Sequence, residues 1–383
     1  MEKLLIIHTR YIERGGEDIA VDNEVNFLKN FYNVEFLSFQ NTLPRKLSEI
    51  LSLIISDNYQ SRKILSDKIK SFNPDFILIN NLWFKGSVGL LRYCLKNNLN
   101  TCIKLHNYRY SCTSKYSSAK HLDGNKICPA CGLEKNKVGF FNRYYQESMI
   151  KSFFAIKFAK RFIQLLENKS LKILTLTNHH KNYLKDLGID TSRIFLQPNP
   201  LSQESMALNS KTKRFNQIVY AGRISPEKGL IELLESWNKL ENNMCKLVLL
   251  GDGPLFHKLK KYTSKNVEVR GYVNNDEVLK IISQSKAVVT ATKLLEGQPT
   301  LLCEASVLET PSLFPDVGGI KDFFPKNYKY TFKQYNYEDL YEKLKIIASN
   351  PFDADQGKKN RDHLFKSLNN NELHLSLDKA LKK

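Results

Sequence analysis

Two glutamates, Glu296 and Glu304, stand eight positions apart in "LLEGQPTLLCEAS", with Gly297, Gln298 and Pro299 directly after the first. Pro299 and Thr300 read as the start of a helix. Glu296 then falls in the preceding loop and Glu304 about one turn inside the helix. The open N–H groups of such a helix start suit phosphate or sugar oxygens. A carboxylate accepts two hydrogen bonds from neighbouring hydroxyls, as a ribose or a sugar offers them. Upstream, "VYAGRISPEKGL" turns through Gly222 and carries Arg223 and Lys228 five apart, at a helix expected to begin near Pro226. Two cations at the positive end of a helix suit a diphosphate. Gly251 and Gly253 in "LLGDGPL" permit a close backbone approach. The competing readings are plain: a solvated Arg and Lys, an ordinary β-α turn, an exposed helical Glu304. The apolar flanks of Glu304 in "LLCEAS" weigh against the last.

These loops need a frame, and short apolar runs alternating with helical patterns supply it. "KLLIIHT", "NVEFLSF", "DFILINN", "NTCIKLHN" and "LKILTLTN" read as strands in the first half. After a polar stretch with two prolines, Phe195 to Gln217, "QIVYAG", "KLVLLGDG", "VEVRGYV", "AVVTAT" and "PSLFP" repeat the pattern with helices between them. Continuous apolar strands joined by helices imply parallel sheets covered on both faces. The expected fold is therefore α/β: two doubly wound, Rossmann-like parallel-sheet domains facing across a cleft. The expected boundaries are 1–198, 199–355, and a polar helical segment 356–383 returning towards the first domain.

The 383 residues suit two domains, and 42% hydrophobic content fills two cores. Lys and Arg exceed Asp and Glu by 58 to 39, a formal +19 that favours acidic partners or leaves a solvated basic surface. No stretch reaches the ~18–20 apolar residues of a membrane span, so a cytoplasmic protein is expected. Seven cysteines, an odd number, fit a reducing compartment. Cys112, Cys128 and Cys131, ending in C-P-A-C, form a candidate structural zinc site with His121 or Cys102 as fourth ligand; reduced loop thiols are the alternative. Cys94, Cys245 and Cys303 read as core. Lys151 to Lys172 interleaves six cations with Phe and Ile. It reads as a helix packed on the sheet with a basic outer face, compatible with an anionic membrane at the cytoplasmic leaflet.

"AGRISPEKG", "LLGDGPL", "EGQPTLLCEA" and "DVGGIKDF", in this order, closely resemble the C-terminal half of retaining glycosyltransferases of family 4, which have the two-domain GT-B fold. The resemblance implies that Arg223 and Lys228 bind the diphosphate of a nucleotide-sugar donor. It also implies that Glu296 contacts the donor sugar and Glu304 the ribose, in the family's Glu-x7-Glu motif. "ERGGEDIAV" resembles the glycine loop beside donor phosphates and acceptor, through Gly15 and Gly16. "KLHNYRYSC" places His106 where the family has an active-site histidine. Gln298-Pro299 stands where the family often has Phe-Gly, and Asp322 where a Glu is common. The implied reaction is retaining transfer of a hexosyl group to a glycan acceptor, lipid-linked at the inner membrane face, in surface polysaccharide or lipopolysaccharide synthesis. It requires no cofactor, since two cations and helix ends neutralise the diphosphate. An epimerase or a phosphorylase on the same fold is the alternative. A basic nucleic-acid-binding protein is the third, disfavoured because the cations are mostly scattered lysines.

Overall fold

A computed structural model describes residues 1–12, 15–42, 52, 54–108, 110, 148–201, 213–241, 245–259 and 261–382. The chain divides into two compact units. One comprises Met1–Pro200 with Asn369–Lys383, the other Leu201–Leu368.

The first unit begins with β1 (Lys3–Arg10), α1 (Gly16–Leu28), β2 (Asn33–Gln40) and α2 (Tyr59–Phe72). It continues with β3 (Phe76–Ile79), α3 (Val88–Lys96), β4 (Thr101–Leu105), α4 (Met149–Leu166), β5 (Lys172–Thr175), α5 (Asn178–Asp186) and β6 (Ile194–Leu196). The strands pair in parallel in the order β2-β1-β3-β4-β5-β6. The central strands are buried end to end, as their unbroken apolar sequence requires. Alternate residues feed two cores. Leu5, Ile7, Ile77, Ile79 and Ile103 face Leu65, Leu91, Phe158, Phe162 and Leu184 on one side. Leu4, Ile6, Leu78, Cys102 and Leu174 face Val21, Val25 and Leu28 on the other.

The second unit carries β7 (Gln217–Ala221), α6 (Leu230–Trp237), β8 (Lys246–Leu250), the short α7 (Phe256–Leu259) and β9 (Val267–Gly271). There follow α8 (Asn275–Ser283), β10 (Ala287–Val289), α9 (Thr300–Val307), β11 (Ser312–Asp316), β12 (Thr331–Lys333), α10 (Tyr337–Ser349) and α11 (Ala354–Ser367). Its sheet is also six-stranded and parallel, in the order β12-β11-β10-β7-β8-β9. Strand order reverses beside β7 and β10, and ligands of open parallel sheets gather outside the carboxyl ends of strands at such a point. Both neighbouring strands end in the loops that carry Arg223 and Glu296.

The C-terminal segment expected as one returning element is two helices. Residues 356–368 stay with the second unit, where α11 packs against α9; Gly357 fits so closely that a Cβ would lie 2.0 Å from the Glu309 carbonyl oxygen. Only α12 (Asn370–Lys382) belongs to the first unit. Leu373, Leu377, Ala380 and Leu381 of α12 complete the core beneath α1. Tyr32 Oη donates to Asp378 at 3.1 Å, and Gln197 Nε2 donates to the Leu373 carbonyl at 3.1 Å.

Candidate functional site

In the second unit, three loops after β7, β8 and β10 meet through glycines. Gly222, Gly251 and Gly253 all have positive φ. A Cβ on Gly251 would lie 1.9 Å from the Gly222 carbonyl oxygen, and one on Gly253 would lie 2.5 Å from that of Ile224. The glycines therefore close these loops on each other, a role the sequence reading expressed only as freedom to approach a ligand.

Lys228 does not lie in the first turn of a helix starting at Pro226. Pro226–Lys228 form a single 3-10 turn, Gly229 follows in the left-handed region at φ +68, and α6 starts at Leu230. Gly229 is fixed there because a Cβ would come within 2.1 Å of the Ala291 carbonyl oxygen. The turn carries Lys228 across to the loop after β10, where Nζ donates to Glu296 Oε1 at 2.8 Å. The Thr292 hydroxyl donates to the same oxygen at 2.9 Å. Burial pushes the Glu296 carboxyl up, yet the Lys228 charge and the two hydrogen bonds outweigh it and hold its pKa below the usual range. Glu296 Oε2 has no hydrogen bond among the described residues, and an ammonium has three N–H donors, so both partners keep capacity for a ligand. Arg223 is exposed on the same β7 loop, and its carbonyl accepts from Tyr220 Oη at 2.8 Å.

The loop holding Glu296 is clamped from several sides. Gln334 Nε2 donates to the Thr292 carbonyl at 3.1 Å, Tyr335 Oη to that of Lys293 at 3.0 Å, and Lys293 N to that of Glu227 at 2.8 Å. Gly319 N donates to the Glu296 carbonyl at 2.9 Å. Gly297, Gln298 and Pro299 lead from there into α9, which starts at Thr300 as the sequence predicts. Its N-terminus has Pro299 at the cap position and no side-chain cap. Six other helices are capped by their own Asn58, Ser148, Thr177, Asn274, Asn336 or Asp353 side chains.

Glu304 sits on α9 among Leu302, Cys303 and Ala305 and accepts no hydrogen bond among the described residues. Burial alone raises its pKa to about 7. A carboxyl so placed is costly to ionise until donors reach it. Thr292 and the clamping Gln334 and Tyr335 escaped the sequence reading. Thr292 had a local signal, a hydroxyl four positions before Glu296 at a strand end.

In the first unit, His106 follows β4 as expected. Its Nε2 lies 2.7 Å from Asn80 Oδ1, and burial with the nearby Lys104 charge lowers its pKa well below the ordinary histidine value. The ring is therefore neutral near pH 7. Since Asn80 Oδ1 can only accept, Nε2 carries the proton and Nδ1 is left as an acceptor. Gly15 and Gly16 lie at the start of α1, but neither needs glycine's conformational range. Gly15 is extended at φ −124, neither has φ in the left-handed region, and a Cβ on either meets nothing within 4 Å. What they leave is open space. Asp18 orders the turn: Oδ2 accepts from Gly15 N at 3.0 Å, and Oδ1 lies 2.8 Å from His8 Nε2.

Cys112, Cys128, Cys131 and His121 lie outside the described residues. Cys102, the other proposed fourth ligand, is buried on β4 beneath α12 with its thiol pushed up to about 12 by burial. It is a core residue, as are Cys94, Cys245 and Cys303. Among the described residues no group of three or more His, Cys, Asp or Glu is placed to hold a metal. No described helix is long and apolar enough to cross a membrane. α4 packs Ala155, Ile156, Phe158, Ala159 and Phe162 inward and exposes Lys151 and Lys160.

Residues 202–363 match the Glycosyl transferases group 1 family. The match spans nearly all of the second unit. The loops bearing Arg223, Lys228, Glu296 and Glu304 all lie within it. The chain is 37% identical over 109 residues to the putative teichuronic acid biosynthesis glycosyltransferase TuaC of Bacillus subtilis, covering 28% of this chain and 27% of that one. It is 25% identical over 141 residues to an α-1,4-N-acetyl-D-galactosaminyltransferase of Campylobacter jejuni. The match covers 36% of this chain and 39% of that protein, whose name specifies a diNAcBac-PP-undecaprenol-linked acceptor. The chain thus spans about a quarter to two-fifths of these relatives' length. The crystal structure of Anabaena HepE in complex with UDP superposes with a TM-score of 0.66 over 100% of this chain and 99% of that one, at 11% identity. At that identity the likeness establishes fold: two six-stranded parallel sheets of the GT-B type.

Proposed function

We propose that the protein is a retaining glycosyltransferase that moves a hexosyl group from a nucleoside diphosphate sugar to a glycan acceptor, lipid-linked at the inner face of a membrane, in surface polysaccharide synthesis. The observation that carries this reading is the pairing of Lys228 with a half-used Glu296, eight residues before a Glu304 that accepts no hydrogen bond among the described residues. Arg223 and Lys228 take the charge that develops on the departing diphosphate. Fixed cations of this kind act without reorganisation at the moment of reaction. The uncapped start of α9, from Gly297 to Thr300, offers N–H groups to the same ligand. Glu296 Oε2 accepts from the donor sugar, and the half-buried Glu304 accepts hydrogen bonds from the ribose hydroxyls.

His106, neutral and held by Asn80, contributes an acceptor nitrogen to the reacting sugar, and the open turn at Gly15 and Gly16 lets ligand approach. The departing phosphate oxygen accepts the acceptor's proton on the face it leaves, so the anomeric configuration is kept. TuaC's name places it in teichuronic acid biosynthesis, the Campylobacter protein's name specifies a polyprenol-linked acceptor, and HepE was crystallised with UDP. These support the substrate classes named here.

The decisive measurement is a thermal-shift screen against UDP, ADP, GDP and their sugars. One nucleotide series raises Tm, because a ligand bound only by the folded state stabilises it. Lys228→Ala abolishes that shift. A shift of full size in Lys228→Ala overturns the diphosphate assignment. The anomeric configuration of the product, read by NMR, tests retention.

A further inference from the structure

Beside His106, the first unit holds Glu17, which the proposed transfer does not use, and an unspent amide donor on Asn80. Glu17, on the first turn of α1, is fixed at one oxygen only. Its Oε2 accepts from Tyr11 Oη at 2.8 Å and from Asn107 Nδ2 at 2.9 Å. Its Oε1 makes no hydrogen bond among the described residues. Asn80, which spends its Oδ1 on His106, is 6% exposed, and its buried Nδ2 has no partner among the described residues. Glu17, Asn80 and His106 line one cavity of about 40 Å³, walled on its apolar side by Trp83, Phe158 and Phe162.

Those three features specify a ligand. An amide donor left unpaired in an apolar-walled cavity is unfavourable unless something accepts from it. Glu17 Oε1 and His106 Nδ1 are acceptors only, so the same ligand group must also donate. A hydroxyl does both. A cavity of about 40 Å³ admits two or three water molecules, or a group of that size. It fits one short arm of a sugar, a CH2OH group, with the methylene against the aromatic wall.

We infer that Glu17 and Asn80 form a hydroxyl-reading subsite that selects a hexose carrying a free primary hydroxyl, with Glu17 as the specificity-determining residue. The inference deepens the glycosyl-transfer reading and rests on it for the ring's origin, which is either the donor sugar or the acceptor glycan. Glu17 is well suited to selection. Tyr11 and Asn107 hold its carboxylate from one side, so its rotamer is set before any sugar arrives. A 6-deoxy sugar would leave Asn80 Nδ2 and Glu17 Oε1 unsatisfied, and sites with buried polar groups reject a ligand missing the matching hydroxyl strongly.

The test uses the full chain and saturation-transfer NMR titrations with methyl glycosides of glucose, galactose and mannose, each against its 6-deoxy counterpart. At least one hexoside is expected to bind about tenfold more tightly than its 6-deoxy form, the size of one hydrogen bond to a charged group. Glu17→Gln presents an amide donor in place of an acceptor when its oxygen stays on Asn107, so the preference collapses to within about twofold. Trp83→Phe, which keeps an aromatic wall, retains it. UDP affinity is measured on the same samples. Unchanged UDP binding with lost discrimination supports the subsite. Discrimination that survives Glu17→Gln overturns it, as does no hexoside binding to the wild type, or a loss of UDP binding in Glu17→Gln without any sugar preference. Absence of nucleotide binding to the wild type would instead overturn the transferase reading, with the sugar preference still measurable. Displacement of the hexoside by a UDP-hexose but not by UDP assigns the hydroxyl to the donor, and simultaneous binding assigns it to the acceptor.

Discussion

The loop after β10 and the first turns of α9 each present one glutamate, eight residues apart, and they treat it in opposite ways. In the loop, Glu296 is paired with Lys228, bonded by Thr292 and held below its usual pKa. On the helix, Glu304 has no partner among the described residues and is raised to about 7. The first carboxylate is already organised, so ligand binding adds to an existing charge network. The second carries an unfavourable free energy that only a ligand relieves. Stability and affinity thus divide between neighbouring carboxylates of one motif.

The largest expected effect comes from disturbing the loop's backbone. Gly318 has φ +61, and a Cβ there would lie 2.2 Å from the Glu296 carbonyl oxygen. Gly318→Ala is expected to destabilise the protein by about 2–4 kcal/mol in denaturant melts. It should also lower nucleotide affinity, since the clash falls on the residue paired to Lys228.

The helix carboxylate gives the next effect, with a defined sign. Its folded pKa of about 7 lies above the ordinary 4.5, so the folded state holds the proton more tightly than the unfolded chain. Stability is therefore unaffected below about pH 4.5 and falls as pH rises through 7. Glu304→Gln removes this loss and should be more stable than wild type by about 1–3 kcal/mol at pH 8, with the gain fading by pH 5. A uniform gain at both pH values would break the contrast with Glu296. In the wild type, nucleotide binding at pH 6.5 should release a proton, visible as a buffer-dependent enthalpy in calorimetry, because ribose hydroxyls stabilise the ionised form.

The smallest effect sharpens the loop side. Thr292→Val removes one of two hydrogen bonds to Glu296 and should cost about 1 kcal/mol. Glu296 has a depressed pKa, so its contribution is present above the ordinary 4.5 and declines as pH falls through the lower folded value. The cost of Thr292→Val should shrink as pH falls below the ordinary 4.5 and Glu296 takes up its proton.

The sheets were legible because β1, β3, β4, β7, β8 and β10 are continuous apolar runs between polar helices. β6 and β12 were not, since Ile194–Leu196 and Thr331–Lys333 are three residues each and too short for a pattern. Arg223, Lys228, Glu296 and Glu304 stood out by type and spacing. Their partners did not. Lys228 reaches Glu296 only because Gly229 turns left-handed, and the clamp on that loop comes from Gln334 and Tyr335, some forty residues away. Glu17 was hidden behind the two glycines before it, and its importance rests on Asn80, Asn107 and Tyr11, which converge through the parallel sheet rather than through sequence.

The terminal helix has a consequence for the order in which the protein is made. Leu373, Leu377, Ala380 and Leu381 seal a face of the sheet whose strands are all complete by Leu196. A ribosome therefore emits six strands long before it emits their cover, and Leu4, Ile6, Leu78 and Leu174 wait partly unshielded while the whole second unit is synthesised. A chain stopped at Pro200 should be prone to aggregate, and a peptide of residues 369–383 supplied in trans should rescue its solubility.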